Sequence, residues 1–172
     1  KNIIWLPSWY PNILSPWDGD FIQRHARAVA LFEKITVIYV KKDEKGIITK
    51  DEMIVSSIKE NVNETIAFYH VKKTGIHFLD RFLSSIKYRK LYRKVLTDFI
   101  KESGKPDLVH VHVATKAGIQ ACWLKKKFGI PFIVSEHWTG HLSDAKFGLK
   151  DLNVFQLKSI QKVFSESQKI TV

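Results

Sequence analysis

Short β-branched runs alternate with helix-length amphipathic segments along this chain, and that alternation restricts the fold more than any other feature. Asn2-Ile-Ile-Trp-Leu6 reads as a buried strand ending at Pro7. Ile22, Ala26, Val29 and Ala30 then recur at helical spacing from about Phe21 to Phe32, with Arg24 and Arg27 off that stripe. Asp20 is the expected N-cap, with Gln23 completing a capping box. Ile35-Thr-Val-Ile-Tyr-Val40 reads as the next strand. Strand, loop, helix and strand make a βαβ unit, whose two strands run parallel with a right-handed connection.

The alternation continues. Met53–Ile58 and Thr65–Val71 read as a hairpin turning through Lys59–Glu64, after a polar loop over Lys41–Glu52. A long helix is expected over Leu79–Glu102, with Leu79, Phe82, Ile86, Tyr88, Leu91, Tyr92, Val95 and Phe99 as its apolar stripe. Gly104 and Pro106 stop it. Asp107–Val113 and Ile130–Ser135 read as strands, Ala117–Phe128 and Leu152–Ser167 as helices, and Lys169–Val172 as the start of another strand. The expected fold class is α/β: a doubly wound, mainly parallel sheet with helices on both faces. Ligands of such sheets bind beyond the carboxyl ends of the strands.

Composition narrows the partners. The net charge is +11, from 28 Lys and Arg against 17 Asp and Glu, which favours polyanionic ligands or surfaces. Between Arg81 and Lys105 eight Lys/Arg face only Asp98 and Glu102, interleaved with Tyr88 and Tyr92. Such a helix face is either merely solvated or meets anionic headgroups, with nucleic acid third. The lone Cys122 cannot form an internal disulfide and fits a reduced, intracellular setting. No apolar run reaches the roughly 20 residues that span a bilayer. The sequon at Asn63 is a bare match.

Three clusters carry chemistry. Trp17-Asp-Gly-Asp20 joins the first strand to the first helix, where phosphates sit on free amides. A tight turn needing Gly19 explains the same residues equally well. His110 and His112 lie two apart on a strand and share a face. With His137 and His141 they raise the question of zinc, but neither a cysteine pair nor an acidic ligand cluster accompanies them. Packing or a cleft lining is the better account, and no metal is expected. Finally, Ser135-Glu-His-Trp-Thr-Gly-His141 follows a strand. His137 there is placed to act as acid, base or positioning donor, or simply to bond backbone at a cleft edge. Glu136 either tunes it or points away.

The order of these pieces resembles the N-terminal domain of retaining GT-B glycosyltransferases of the family 4 type. The carriers are S-W-Y-P followed by D-G-D-F-I-Q-R-H-A-R-A-V-A-L, then P-D-L-V-H-V-H, then A-G-I-Q-A-C-W-L-K-K-K-F-G-I-P-F-I-V-S-E-H. The resemblance implies a Rossmann-like domain over 1–172, one half of a GT-B fold, that holds the acceptor. A C-terminal domain, outside this chain, would bind most of the donor through an E-x7-E motif, so that 1–172 alone transfers nothing. The reaction implied is transfer of a sugar from a nucleotide-diphosphate donor to a sugar or lipid-linked hydroxyl acceptor with retention, in polysaccharide or glycolipid assembly. His137 would be catalytic, Asp18 and Gly19 would approach the donor diphosphate, and Arg24, Thr139 and His141 would border the acceptor. Asp18 stands where the family often has a second glycine. No cofactor, metal or nucleic-acid partner is implied. The basic helix 79–102 would hold a cytoplasmic enzyme to the inner face of the plasma membrane. The rival readings are a stand-alone module binding anionic lipid or nucleic acid, and a nucleotide-sugar epimerase or hydrolase.

Overall fold

The computed structural model describes residues 1–72, 74–142, 145, 146 and 148–172. Its elements are β1 (Asn2–Pro7), α1 (Asp20–Val29), β2 (Lys34–Lys42), β3 (Glu52–Lys59), β4 (Val62–Tyr69), α2 (His77–Ser103), β5 (Leu108–His112), α3 (Lys116–Phe128), β6 (Phe132–Ser135), α4 (Val154–Glu166) and β7 (Ile170–Thr171). One sheet takes all seven strands in the order β3-β4-β2-β1-β5-β6-β7. Every pairing is parallel except β3 with β4. The α/β class and the doubly wound, mainly parallel sheet are therefore as expected.

Residue parity along the strands builds two cores. Ile4 and Leu6, Ile38 and Val40, and Val109 and Val111 point to one face, where they pack with Leu91, Tyr92 and Leu96 of α2, Ala121 and Leu124 of α3, and Ile160 and Val163 of α4. Trp5, Val37, Tyr39 and Phe68 point to the other, under Ile22 and Ala26 of α1 and Tyr10 of the first loop. Burying these side chains is the main driving force, about 1.5–3 kcal/mol for each large aliphatic or aromatic one. The helices are divided unequally: α2, α3 and α4 share one face and α1 stands on the other. Tyr92 also donates its hydroxyl to the Ile38 carbonyl at 2.7 Å, so the polar tip of this buried side chain is satisfied on the sheet.

Several boundaries differ from the sequence reading. The α1 N-cap is Gly19, at φ 69°, rather than Asp20, which is the first helical residue. Gln23 does not close a capping box; its amide donates to buried Glu64 at 2.8 Å. The β3–β4 hairpin turns on two residues only, Glu60 and Asn61, both at positive φ. That is the tight geometry matching strand twist, and it lets the strands run longer than expected. Asn63 consequently lies within β4, opposite Ile58. Phe82, assigned to the inner stripe of the long helix, is 52% exposed. In the early turns of α2, Ser84 and Tyr88 reach Tyr69 of β4, and the buried residues of the helix begin at Leu91.

Candidate functional site

The strand order reverses at β1. The chain moves from β1 outward to β2 and β4, then returns through α2 to β5 on the other side. Doubly wound sheets bind ligands at that switch point, outside the strand carboxyl ends. Here that edge is made by the loop after Pro7, the turn after His112 and the S-E-H-W-T-G-H turn after β6.

The histidines assemble into a column. Trp5, His110 and His112 share a face, with His112 4.2 Å from Trp5 and 4.2 Å from His110 between ring centroids. His110 Nε2 bonds the Ser135 hydroxyl at 2.8 Å. His112 is 2% exposed. Its Nδ1 lies 3.3 Å from Nε2 of His137, and the two rings stack with 16° between their planes. Burial pushes His110 down to about 4 and His112 to about 2, with the neighbouring histidines adding to it. His137 is itself lowered, by desolvation first and by His25 second, against a raising effect of Glu136. The column is therefore neutral at pH 7, so in the His112–His137 contact one nitrogen donates and the other accepts, while the buried Nε2 of His112 meets no hydrogen-bond partner among the described residues. His137 remains exposed, with Phe21 of α1 edge-on at 5.2 Å. The end of the glycine loop and the histidine turn are thereby brought together.

Glu136 points to the opposite side from His137. One of its oxygens accepts from the Ala114 amide and the other from the Trp138 amide, each at 3.0 Å. It ties the β5–α3 turn to the β6 turn. His141 lies 3.6 Å from Glu136 and 6.0 Å from the Phe164 ring of α4, so the two histidines of this turn face opposite ways. Thr139 is exposed in a one-turn 3₁₀ helix, Thr139–His141. Gly140 sits against the Trp138 ring, where a Cβ would fall 2.1 Å from a ring carbon. Among the described residues no group of three metal-ligating side chains could hold an ion.

Gly19 lies at φ 69°, and a Cβ there would stand 2.6 Å from the Trp9 carbonyl oxygen. The turn needs glycine for both reasons. Asp18 turns its carboxylate to Lys41, at 3.0 Å. Arg24 pairs with Asp20 on the exposed side of α1, at 3.2 Å. Sequence reasoning missed the support of this loop. Tyr10 donates to buried Glu64 at 2.6 Å, and burial first, then that carboxylate, raise its phenol pKa. A buried carboxylate within a strand gives no sequence signal of its partner. It also missed Val113, at φ 71° and fully buried. A β-branched residue in that region is strained, and it sits at the mouth of the switch point.

The profile of Glycosyltransferase Family 4 matches residues 53–172. This chain belongs to glycosyltransferase family 4. The family match includes His137, Thr139 and His141 and begins after Asp18, Gly19 and Arg24. Sucrose-phosphate synthase from Thermosynechococcus elongatus superposes with a TM-score of 0.56 at 12% identity, over 99% of this chain and 42% of that one. At this identity the likeness concerns fold: the family 4 chain has the Rossmann-like architecture of one half of a GT-B enzyme. It spans less than half the length of that synthase. No curated protein matches the sequence. Among the described residues no helix is long and apolar enough to cross a membrane.

Proposed function

We propose that residues 1–172 form the acceptor-side domain of a family 4 transferase, which moves a sugar from a nucleotide-diphosphate donor to a hydroxyl acceptor with retention, in polysaccharide or glycolipid assembly. A donor-binding domain outside these residues completes the cleft, and 1–172 alone is inactive. One observation carries the reading. His137 is an exposed, neutral imidazole at the strand-carboxyl edge, held through Nε2 by a buried histidine. That contact fixes the ring and leaves Nδ1 for a substrate hydroxyl.

In this reading the acceptor hydroxyl attacks the anomeric carbon as its bond to the diphosphate breaks. The acceptor proton leaves with the diphosphate oxygen. His137 contacts the transferred sugar and orients it for that exchange. Gly19 allows backbone amides near the α1 N-terminus to approach the departing diphosphate. The Asp18 carboxylate, neutralised by Lys41, supports the loop beside it and does not repel the anion. Arg24 and Thr139 border the acceptor, and His141 acts through Glu136. The exposed Ile76, Phe78 and Phe82, beside Arg81, support docking of α2 on the anionic cytoplasmic face of the plasma membrane.

The test supplies the complete transferase with a panel of nucleotide-diphosphate sugars and follows the anomeric proton of the product by NMR. Transfer with the donor's own anomeric configuration is expected. An inverted product, or donor hydrolysis with every hydroxyl acceptor refused, would overturn the reading.

A further inference from the structure

The edge of the sheet farthest from β7 is unguarded. Among the described residues β3 pairs only with β4, and it ends the strand order. Edge strands are ordinarily blunted by a proline, a bulge or a charge at mid-strand. β3 has none of these. Its register with β4 runs unbroken from Glu52↔Tyr69 to Lys59↔Val62. Met-Ile-Val-Ser-Ser-Ile, residues 53–58, holds neither charge nor proline. Ile54, Val55 and Ile58 are 44%, 41% and 76% exposed. Single exposed apolar side chains are commonplace, but three of them along a row of free backbone groups make a template for another strand.

Those free groups belong to particular residues. The Asp51 carbonyl accepts from the His70 amide. By the alternation of an antiparallel ladder, Met53, Val55, Ser57 and Lys59 therefore turn their amides and carbonyls to β4, and Glu52, Ile54, Ser56 and Ile58 turn theirs outward. A second β3 can satisfy the outward set in an antiparallel pairing about a two-fold axis. With the axis at Val55, Ile54 meets Ser56 of the second copy, Glu52 meets Ile58, and Asp51 meets Lys59. Moving the axis to Ser56 opposes Glu52 to Glu60, and moving it to Ile54 opposes Asp51 to Ser57, which leaves the charges unmatched. The charges thus select the Val55 register. Asp51 has no ion-pair partner of its own among the described residues. Lys59 lies 3.4 Å from Glu64, but its side chain is 56% exposed, so the ammonium has room for a second carboxylate.

We infer that β3 is a homodimer edge: two copies pair antiparallel about Val55 and continue one sheet through both. The strand is its own complement in shape and charge, which fits a second copy of this chain better than an unrelated peptide. Val55 meets its own mate on the axis. On the face that carries α2, Ile54 lies diagonal to Ile58 of the second copy, so the exposed side chains cover one another. The axis stands perpendicular to the sheet, and both α2 helices therefore stand on the same side of it. Such a contact is isologous and closes at two copies. One strand edge is a small interface, so the dimer dissociates on dilution.

The experiment follows the mass of the complete transferase by sedimentation velocity over a dilution series. A monomer–dimer equilibrium is expected. Val55→Lys sets like charges against each other on the axis, and Ser56→Pro removes an outward amide while sparing the ladder to β4. Each is expected to weaken the dimer at least tenfold with the urea midpoint held. Mild oxidation of cysteine variants then reads the register without a disruptive substitution. Val55→Cys is expected to cross-link two copies, because its Cα atoms stand about 4.5 Å apart in a non-hydrogen-bonded pair, within disulfide reach. Ile54→Cys is not, because it lies diagonal to its mate at about 7–8 Å. Cys122 is buried and does not compete. A monomer at every concentration, a mass that climbs past two copies, or a dimer as tight in both Val55→Lys and Ser56→Pro as in wild type would overturn the interface. Cross-linking of Ile54→Cys as complete as that of Val55→Cys would overturn the register. None of these readouts depends on turnover, so they stand or fall apart from the transferase reading.

Discussion

His110 and His112 make the domain sensitive to acid at the scale of single residues. Folded, they titrate near 4 and near 2; unfolded, near the ordinary 6.5. Between those values the unfolded chain binds protons that the folded chain refuses. Stability is therefore full above about pH 6.5 and is lost as pH falls toward 4, on the order of 2 kcal/mol for each histidine by pH 5. Urea midpoints measured from pH 7 to pH 5 are expected to fall accordingly, and less steeply in His110→Asn. Gly19→Ala should cost about 1–3 kcal/mol, because positive φ and the Trp9 carbonyl both exclude a Cβ. An unchanged urea midpoint in that variant would contradict the turn geometry. Period-two spacing made the shared face of His110 and His112 legible beforehand. The link from His112 to His137 was not legible, because it depends on the register that sets His112 beside Ser135.

At the scale of elements, α3 approaches α4 through Gly118. A Cβ there would stand 2.7 Å from Val163 Cγ1. Gly118→Ala gains about 1 kcal/mol of helix propensity, yet the clash with a fully buried valine should leave it destabilised by about 1–3 kcal/mol. Adding Val163→Ala should recover part of that loss in a double-mutant cycle; strict additivity of the two changes would show that the helices do not meet there. Phe78→Ser combined with Phe82→Ser touches no core, since these side chains are 80% and 52% exposed. Thermal stability should hold while sedimentation with anionic vesicles drops several-fold. Equal sedimentation would remove α2 as the membrane face. The apolar periodicity of α2 was plain in the sequence. Which part of it is covered was not, because full burial begins only at Leu91, and that depends on how the helix lies on the sheet.

At the scale of the whole molecule, alternating strand and helix patterns were enough to specify the doubly wound sheet, since short connections and parallel pairing leave few topologies. They did not reveal the switch between β1 and β5, because strand order is decided by long-range pairing rather than by any local pattern. That switch is what unites the first loop, Thr115 and His137 at one edge. The central claim is that chemistry occurs at this edge and passes through His137. Turnover by the complete transferase with His137→Ala tests it most directly, with the far-UV spectrum and urea midpoint as controls of folding. His137 is exposed, so the fold should survive while kcat falls by about 100-fold or more. A folded His137→Ala enzyme with wild-type kcat would contradict the account.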